Sequence, residues 1–286
     1  MKQRLLILVL CLSACFSSLS YGAAIVPGFN TTSDGRNDDG TWTAPSGCTN
    51  PEIGGTCAGT LVPVGFNLNF FGVNFNSTYI NTNGNITLDF PLSTFTPFGL
   101  TAADRQIIAP FFADVDTRNL ASGVVTFGNG TFLGFNAFGV NWLNVGYFDE
   151  HVDKTNSFQL LLVNREDTGA GNFDIVFNYD SVQWETGDAS NGVEGLGGDS
   201  ARVGFSNGTG NPGTSFELTG SALPGALING GPNALITHSL NSDVEGRYIF
   251  TARGGRIDVE VVPEPSTWLL LGSGLAGLML WRKRMT

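Results

Sequence analysis

Apolar residues in this chain recur mostly at every second position, and dense turn residues interrupt the runs. That period restricts the fold more than any other feature. Phe173, Ile175, Phe177 and Tyr179 alternate with Asp174, Val176 and Asn178, which predicts a half-buried strand. Residues 158–163, Phe-Gln-Leu-Leu-Leu-Val, are apolar on both faces, as a central strand of a sandwich would be. Further strands are predicted at 65–71, 79–82, 85–90, 107–115, 124–127, 140–147, 201–205, 215–219 and 247–252. Asn83-Gly84, Gly128-Asn129-Gly130, Asn207-Gly208 and Gly230-Gly231-Pro232 separate them as turns. Only 101–105 offers a helical turn. Many short strands with Gly and Asn turns predict an all-β sandwich or a related β architecture. Residues 24–64, rich in Gly, Asp, Thr and Pro, read as a loop-rich N-terminal lobe ahead of a β domain over 65–252.

The two ends differ from the middle. Lys2 and Arg4 precede an apolar run from Leu5 to Leu12, and small residues follow at Ser20, Gly22, Ala23 and Ala24. This is the pattern of a secretory signal peptide over about 1–23. A competing reading takes Leu12-Ser13-Ala14-Cys15 as a lipobox with an acylated Cys15. After a linker at 253–261, the chain closes with Pro263-Glu264-Pro265, an uncharged stretch of fifteen residues from Thr267 to Trp281, then Arg282-Lys283-Arg284. As a helix that stretch reaches about 22 Å, short of the roughly 30 Å bilayer core. Trp268 and Trp281 sit where interfacial aromatics belong, and the basic stop favours the cytoplasmic side. The stretch therefore reads either as a plain anchor or, being marginal, as a transmembrane sorting tail removed by a protease.

Composition supports export. Between the ends, nine basic residues stand against twenty-four acidic ones, a net charge of −15, and Lys154 is the only lysine. Such a field repels nucleic acid and anionic membranes and suits cations or a cation-bridged matrix, although solubility alone would also explain it. Cys48 and Cys57 flank eight residues. In an oxidising compartment they are expected to form a disulfide, since two thiols with no nearby histidine make a poor zinc site.

Val262-Pro263-Glu264-Pro265-Ser266, the apolar stretch and the Arg-rich end together resemble the PEP-CTERM sorting signal, which occupies 262–286 here. The resemblance implies a Gram-negative host that makes extracellular polysaccharide. It also implies processing by an exosortase, an integral-membrane cysteine protease, with Pro263, Glu264 and Pro265 as recognition residues. The two prolines keep that peptide extended.

A second resemblance rests on six strings in order. They are Ile80-Asn81-Thr82-Asn83-Gly84-Asn85-Ile86-Thr87-Leu88; residues 107–118, Ile-Ile-Ala-Pro-Phe-Phe-Ala-Asp-Val-Asp-Thr-Arg; residues 158–163; residues 176–187; Ala201-Arg202-Val203-Gly204-Phe205; and Gly246-Arg247-Tyr248-Ile249-Phe250. Residues 65–252 thereby resemble the NIDO domain, the extracellular module of nidogen and related matrix proteins. The resemblance implies a role in cell–matrix adhesion, without catalysis. The Phe- and Gly-rich insert at 128–153 is not placed by these strings.

Several constellations bear on chemistry. Asp114 and Asp116 lie two apart on a predicted strand, so both carboxylates would face one side and could take calcium through oxygen. The structural alternative is pairing with Arg118 or Arg105, or turn capping. Residues 34–40, Asp-Gly-Arg-Asn-Asp-Asp-Gly, are oxygen-rich but lack EF-hand spacing, and read as a solvated turn. Gly204-Phe205-Ser206-Asn207-Gly208 matches a nucleophile elbow by letters. Thr209-Gly210-Asn211-Pro212-Gly213, however, cannot start the helix that an elbow needs. Residues 208–213 likewise match a dinucleotide fingerprint without its strand–loop–helix context. His151 and His238, the only histidines, form no metal triad. Glu150, His151 and Asp153 could form a local polar cluster. Asp149, Glu150, Glu185 and Asp188 are available for sugar cleavage but show no pair geometry. Trp42, Trp142 and Trp184 could stack on sugars, with core packing as the default.

The expected protein is a non-enzymatic, exported cell-surface or matrix protein with no organic cofactor. Its expected partners are an exosortase, an extracellular polysaccharide or matrix protein and, through the tail before processing, the membrane. The alternatives are a surface polysaccharide hydrolase and a calcium-bridged structural module.

Overall fold

A computed structural model describes residues 24–41 and 59–259. The signal segment with Cys15, the cysteines Cys48 and Cys57, Trp42, and the tail with Pro263, Glu264, Pro265, Arg282, Lys283 and Arg284 lie outside the described residues. Among the described residues no helix is long and apolar enough to cross a membrane.

The domain is all-β. Its strands are β1 (Thr32–Ser33), β2 (Val62–Phe70), β3 (Val73–Asn81), β4 (Asn85–Thr87), β5 (Gln106–Phe112), β6 (Val115–Asp116), β7 (Val125–Phe132), β8 (Phe135–Tyr147), β9 (His151–Asn164), β10 (Phe173–Ser181), β11 (Arg202–Asn207), β12 (Ser215–Glu217), β13 (Arg247–Arg253) and β14 (Arg256–Asp258). One sheet runs β1-β7-β8-β9-β10-β13-β14, with β6 added on β8; the other runs β12-β11-β5-β4-β3-β2. Every ladder between these strands is antiparallel. The helical turn expected at 101–105 is a single 3-10 turn, Leu100–Ala102.

The alternation read from the sequence decides what fills the space between the sheets. Phe138, Val140, Trp142, Phe158, Leu160, Phe177 and Phe250 of the first sheet meet Ile80, Ile86, Ile108, Phe111 and Phe205 of the second in one buried cluster. Phe111 joins the layers, with its ring 5.3 Å from Phe158 and 5.8 Å from Trp184. Phe205 and Phe250 pack edge to face at 5.3 Å, an arrangement that aromatic quadrupoles favour.

The prediction of a half-buried strand at 172–179 is corrected: Phe173 to Tyr179 are buried on both faces. Phe173, Ile175, Phe177 and Tyr179 point into the main core. Val176 joins Leu161, Val163 and Ala137 on the outer face, under Phe29. The cover is the N-terminal segment, which lies along the first sheet. A ladder of buried amides holds it there. Asn178 Nδ2 donates to Gln159 Oε1 at 2.8 Å, and Gln159 Nε2 donates to Asn141 Oδ1 at 2.7 Å. The same side chains bind the segment's backbone: Gln159 Nε2 donates to Val26 O and Asn141 Nδ2 to Phe29 O, both at 2.7 Å. Asp180 accepts from Ala24 N at 2.7 Å.

The insert at 128–153 takes its composition from this docking. It forms the long hairpins β7–β8 and β8–β9. A Cβ at Gly139 would lie 2.5 Å from Phe29 Cγ, and one at Gly130 would lie 2.8 Å from Phe29 Cε1. These glycines form the trough that accepts the Phe29 ring. The outer face of the second sheet is covered too, where Leu92, Leu100, Ile107, Ala109 and Phe112 make a third cluster with Phe98.

Asp34, beside β1, gives the docked segment a pH dependence. It is 7 % exposed, its Oδ1 accepts from Gly35 N at 2.8 Å, and its Oδ2 has no partner among the described residues. Burial pushes its carboxyl up to about 6, against the Gly35 amide, which lowers it. A folded-state value above the unfolded one means that the folded protein holds the proton more tightly. The cost of burying the charge is absent below about pH 4, grows as pH rises through 6, and is complete above that. Asp34→Asn is therefore expected to add about 1–3 kcal/mol at pH 7 and nothing at pH 3.5, at about 1.4 kcal/mol per unit. Urea midpoints at the two pH values check this, and an equal gain at both would refute it.

Candidate functional site: a carboxylate cluster at the crossover between the sheets

Between β5 and β6 the chain leaves the second sheet and enters the first. Asp114 stands at that crossover. The chain bends at Ala113, just before it, and Asp116 closes the short strand β6 two residues on. Asp116 turns to Arg118, which donates from Nε at 3.0 and 3.1 Å and from Nη2 at 2.5 Å. Asp116 Oδ2 also accepts from Glu150 N at 2.9 Å. The Arg118 alternative thus describes Asp116 and leaves Asp114 to other neighbours.

Those neighbours come from the oxygen-rich turn near the N-terminus. Carboxylate oxygens of Asp38, Asp39 and Asp114 all lie within 4.8 Å of one another. Asp114 is 1 % exposed. Its Oδ2 accepts from Ser190 Oγ at 3.5 Å, while its Oδ1 has no partner among the described residues; neither has Oδ1 of Asp38. Asp38 Oδ2 lies 3.3 Å from Arg118 Nη2, and Asp39 Oδ1 accepts from Asn83 Nδ2 at 3.0 Å. Arg118 is the one guanidinium in this network among the described residues and also reaches Asp149 at 3.1 Å.

The backbone holds the three acids in place from both sides. Arg36 Nη1 donates to the carbonyls of Thr117 and Ser122 at 2.7 and 2.9 Å, and Nη2 donates to Leu120 O at 3.0 Å. Thr117 N donates to Asn37 O at 2.8 Å. Thr82 N donates to Gly40 O at 3.0 Å. Asn83 ties the turn to the crossover, its Oδ1 accepting from Val115 N at 2.9 Å. Gly187 closes the far side, where a Cβ would lie 2.5 Å from Asp114 Oδ2.

Burial raises all three acids, and like charge adds to it. Asp114 is pushed up to about 8 by burial and then by Asp39, Asp38 and Asp116, against a lowering contact from Ser190. Asp38 is pushed up to about 7 by burial and its acidic neighbours, against Arg118. Asp39 is raised by burial, against the Asn83 hydrogen bond. A buried carboxylate oxygen without a donor costs about 1–3 kcal/mol or more. Either a shared proton or a bound cation would relieve that cost.

Of the other candidates, His151, Asp153 and Asp188 share one groove, and Glu185 lies apart from it. Glu185 is buried, and its Oε1 accepts from the backbone amides of Gly225 at 2.6 Å and Gly197 at 3.3 Å. Asp188 lies 3.2 Å from His151 Nε2. Asp153 accepts from Tyr147 Oη at 2.8 Å and from Lys154 Nζ at 2.7 Å. Tyr147, His151, Asp153, Asp188 and Val193 line a groove of about 550 Å³. Ser206 is fully buried, and β11 turns into β12 without a helix. His238 Nδ1 lies 2.9 Å from Ala234 O. Trp142 and Trp184 are fully buried, so neither presents a face to a sugar.

The residues of this sandwich match a known family. Residues 76–132 and 128–254 fit the family model of the nidogen-like domain, NIDO. The chain belongs to the NIDO family. Outside that domain, residues 261–284 fit the PEP-CTERM protein-sorting motif. Alpha-tectorin of Mus musculus is 32 % identical over 217 residues, covering 66 % of this chain and 9 % of that protein. Alpha-tectorin of Gallus gallus is 30 % identical over 214 residues, and nidogen of Drosophila melanogaster is 29 % identical over 207. The chain spans 9 % of the tectorins and 14 % of the nidogen. No solved structure matches it. The NIDO match takes in Asp114 and Asp116 but begins after Asp38 and Asp39. A NIDO domain beside a sorting motif supports an exported surface protein.

Proposed function

We propose that this protein is an exported, non-enzymatic adhesion module of a bacterial surface or exopolysaccharide matrix. In this reading the signal peptide threads it across the inner membrane of a Gram-negative cell. The tail then holds it there until an exosortase cuts near Pro263-Glu264-Pro265, and the NIDO domain engages polysaccharide or matrix protein outside. The observation that carries the reading is the sorting motif at 261–284 directly following a domain of an extracellular family at 76–254. The marginal length of the apolar stretch supports transient rather than permanent anchoring. The acidic middle supports contact with a cation-rich matrix.

Replacing Pro263-Glu264-Pro265 by three alanines in the host is expected to leave the full-length chain in the membrane fraction. Mass spectrometry of the released protein checks this. Release at the wild-type level, with the same C-terminus, would refute the sorting step. Adhesion is checked separately, by retention of the released protein on polysaccharide from the same host.

A further inference from the structure

We propose that Asp38, Asp39 and Asp114 form a calcium site that clasps the N-terminal segment to the crossover between the sheets. The inference concerns the folded domain and does not depend on how the chain is exported. Three carboxylates from two distant stretches converge within 4.8 Å. Asp114, 1 % exposed, brings to that convergence a carboxylate whose Oδ1 has no partner among the described residues, and Oδ1 of Asp38 has none either.

The surroundings distinguish a cation site from ordinary acid pairing. Arg118 is satisfied largely by Asp116 and Asp149 and reaches Asp38 through Oδ2 alone. Among the described residues, the side-chain donors to Asp39 and Asp114 are the neutral Asn83 and Ser190. The anchors at Arg36, Asn37 and Gly40 on one side, and at Val115 and Thr117 on the other, keep the acids from moving apart. Gly187 leaves the Asp114 carboxylate room that any side chain would take.

The donor set is entirely oxygen and anionic, which selects a hard divalent ion over zinc or copper. Calcium accepts six to eight oxygens in flexible geometry, so three carboxylates with water can complete its shell; magnesium demands a near-ideal octahedron. The ion would join positions 38 and 39 to position 114 and so hold down the segment that covers the outer face of the first sheet. Two of the three carboxylates, Asp38 and Asp39, lie outside the family match.

The test uses the full-length chain in detergent, stripped with EDTA and titrated with CaCl₂. Calorimetry should show one saturable ion per chain. The unfolding temperature should rise by roughly 5–10 °C at a hundredfold excess over Kd. Asp114→Asn and Asp39→Asn should each lose at least about tenfold in affinity, because charge count sets the strength of such sites. In EDTA both variants should be no less stable than the wild type, since each removes a repelling charge. That separates loss of a ligand from loss of fold. Three results would each overturn the proposal: no heat and no shift up to about 10 mM calcium, above the range of extracellular sites; an undiminished shift in Asp114→Asn; or an equal response to MgCl₂.

Discussion

Alanine at position 142 is expected to destabilise the domain by about 4–6 kcal/mol. Trp142 is fully buried and stacks on Phe158 at 5.2 Å with an interplanar angle of 11°. Its indole nitrogen donates to the Thr82 carbonyl at 2.9 Å. Removing a buried tryptophan costs about 3–5 kcal/mol in lost transfer energy and cavity. The Thr82 carbonyl then loses its indole donor inside the core, which adds about 1 kcal/mol or more. Total stabilities run about 5–15 kcal/mol, so the variant should unfold at a sharply lower urea concentration or fail to accumulate. Trp142→Phe restores the stacking but not the hydrogen bond and should recover about half the loss. Equal losses in the two variants would contradict this division.

Gly84→Ala is expected to act almost as strongly through a different cause. Gly84 has φ +70°, and a Cβ there would lie 1.8 Å from the carbonyl oxygen of Phe111. Phe111 N donates to Gly84 O at 3.2 Å, so the turn between β3 and β4 rests directly on β5. A left-handed alanine alone costs about 1 kcal/mol. The collision is with backbone and can be relieved only by moving the turn off β5. A loss of about 4 kcal/mol is expected, which at this size lowers the unfolding temperature by about 10 °C. Asn83, next in the chain, holds both Asp39 and Val115. The same substitution should therefore weaken calcium binding, whereas Trp142→Phe should leave it unchanged.

How far the fold could be read depended on where its information lies. Strands with strong alternation, such as β10, β11 and β13, were predicted within a residue or two of their ends, because β-branched and aromatic residues on a pleat identify themselves locally. The end of β7 and the start of β8 were missed because Gly128, Gly130 and Gly139 look like turn residues until Thr31 and Phe29 are seen lying over them. β1 and β14 were missed for a different reason: two or three residues carry no measurable period. The burial of both faces of β10 could not be read either, since Asp174 and Asn178 are polar and find their partners, Arg165, Arg253, Gln159 and Arg247, on neighbouring strands and in the connection after β9.

The candidate site shows the same division. Asp114 stood out beside Asp116 as a candidate calcium pair, and the turn with Asp38 and Asp39 read as a solvated acidic turn. The linear chain carries no signal that they meet.

From its residues alone the chain settled its all-β class, most of its strands, the family resemblance of its middle and the sorting resemblance of its C-terminal end. These are local properties, written in the period of apolar residues and in short ordered strings. The tertiary structure decided which faces are covered, which glycines are troughs rather than turns, and which acids confront one another. Those depend on strand order and on a segment that returns across the sheet. Only when the topology closes does positioning bring a carboxylate at 38 against one at 114, and only then does like charge in a buried place become a site.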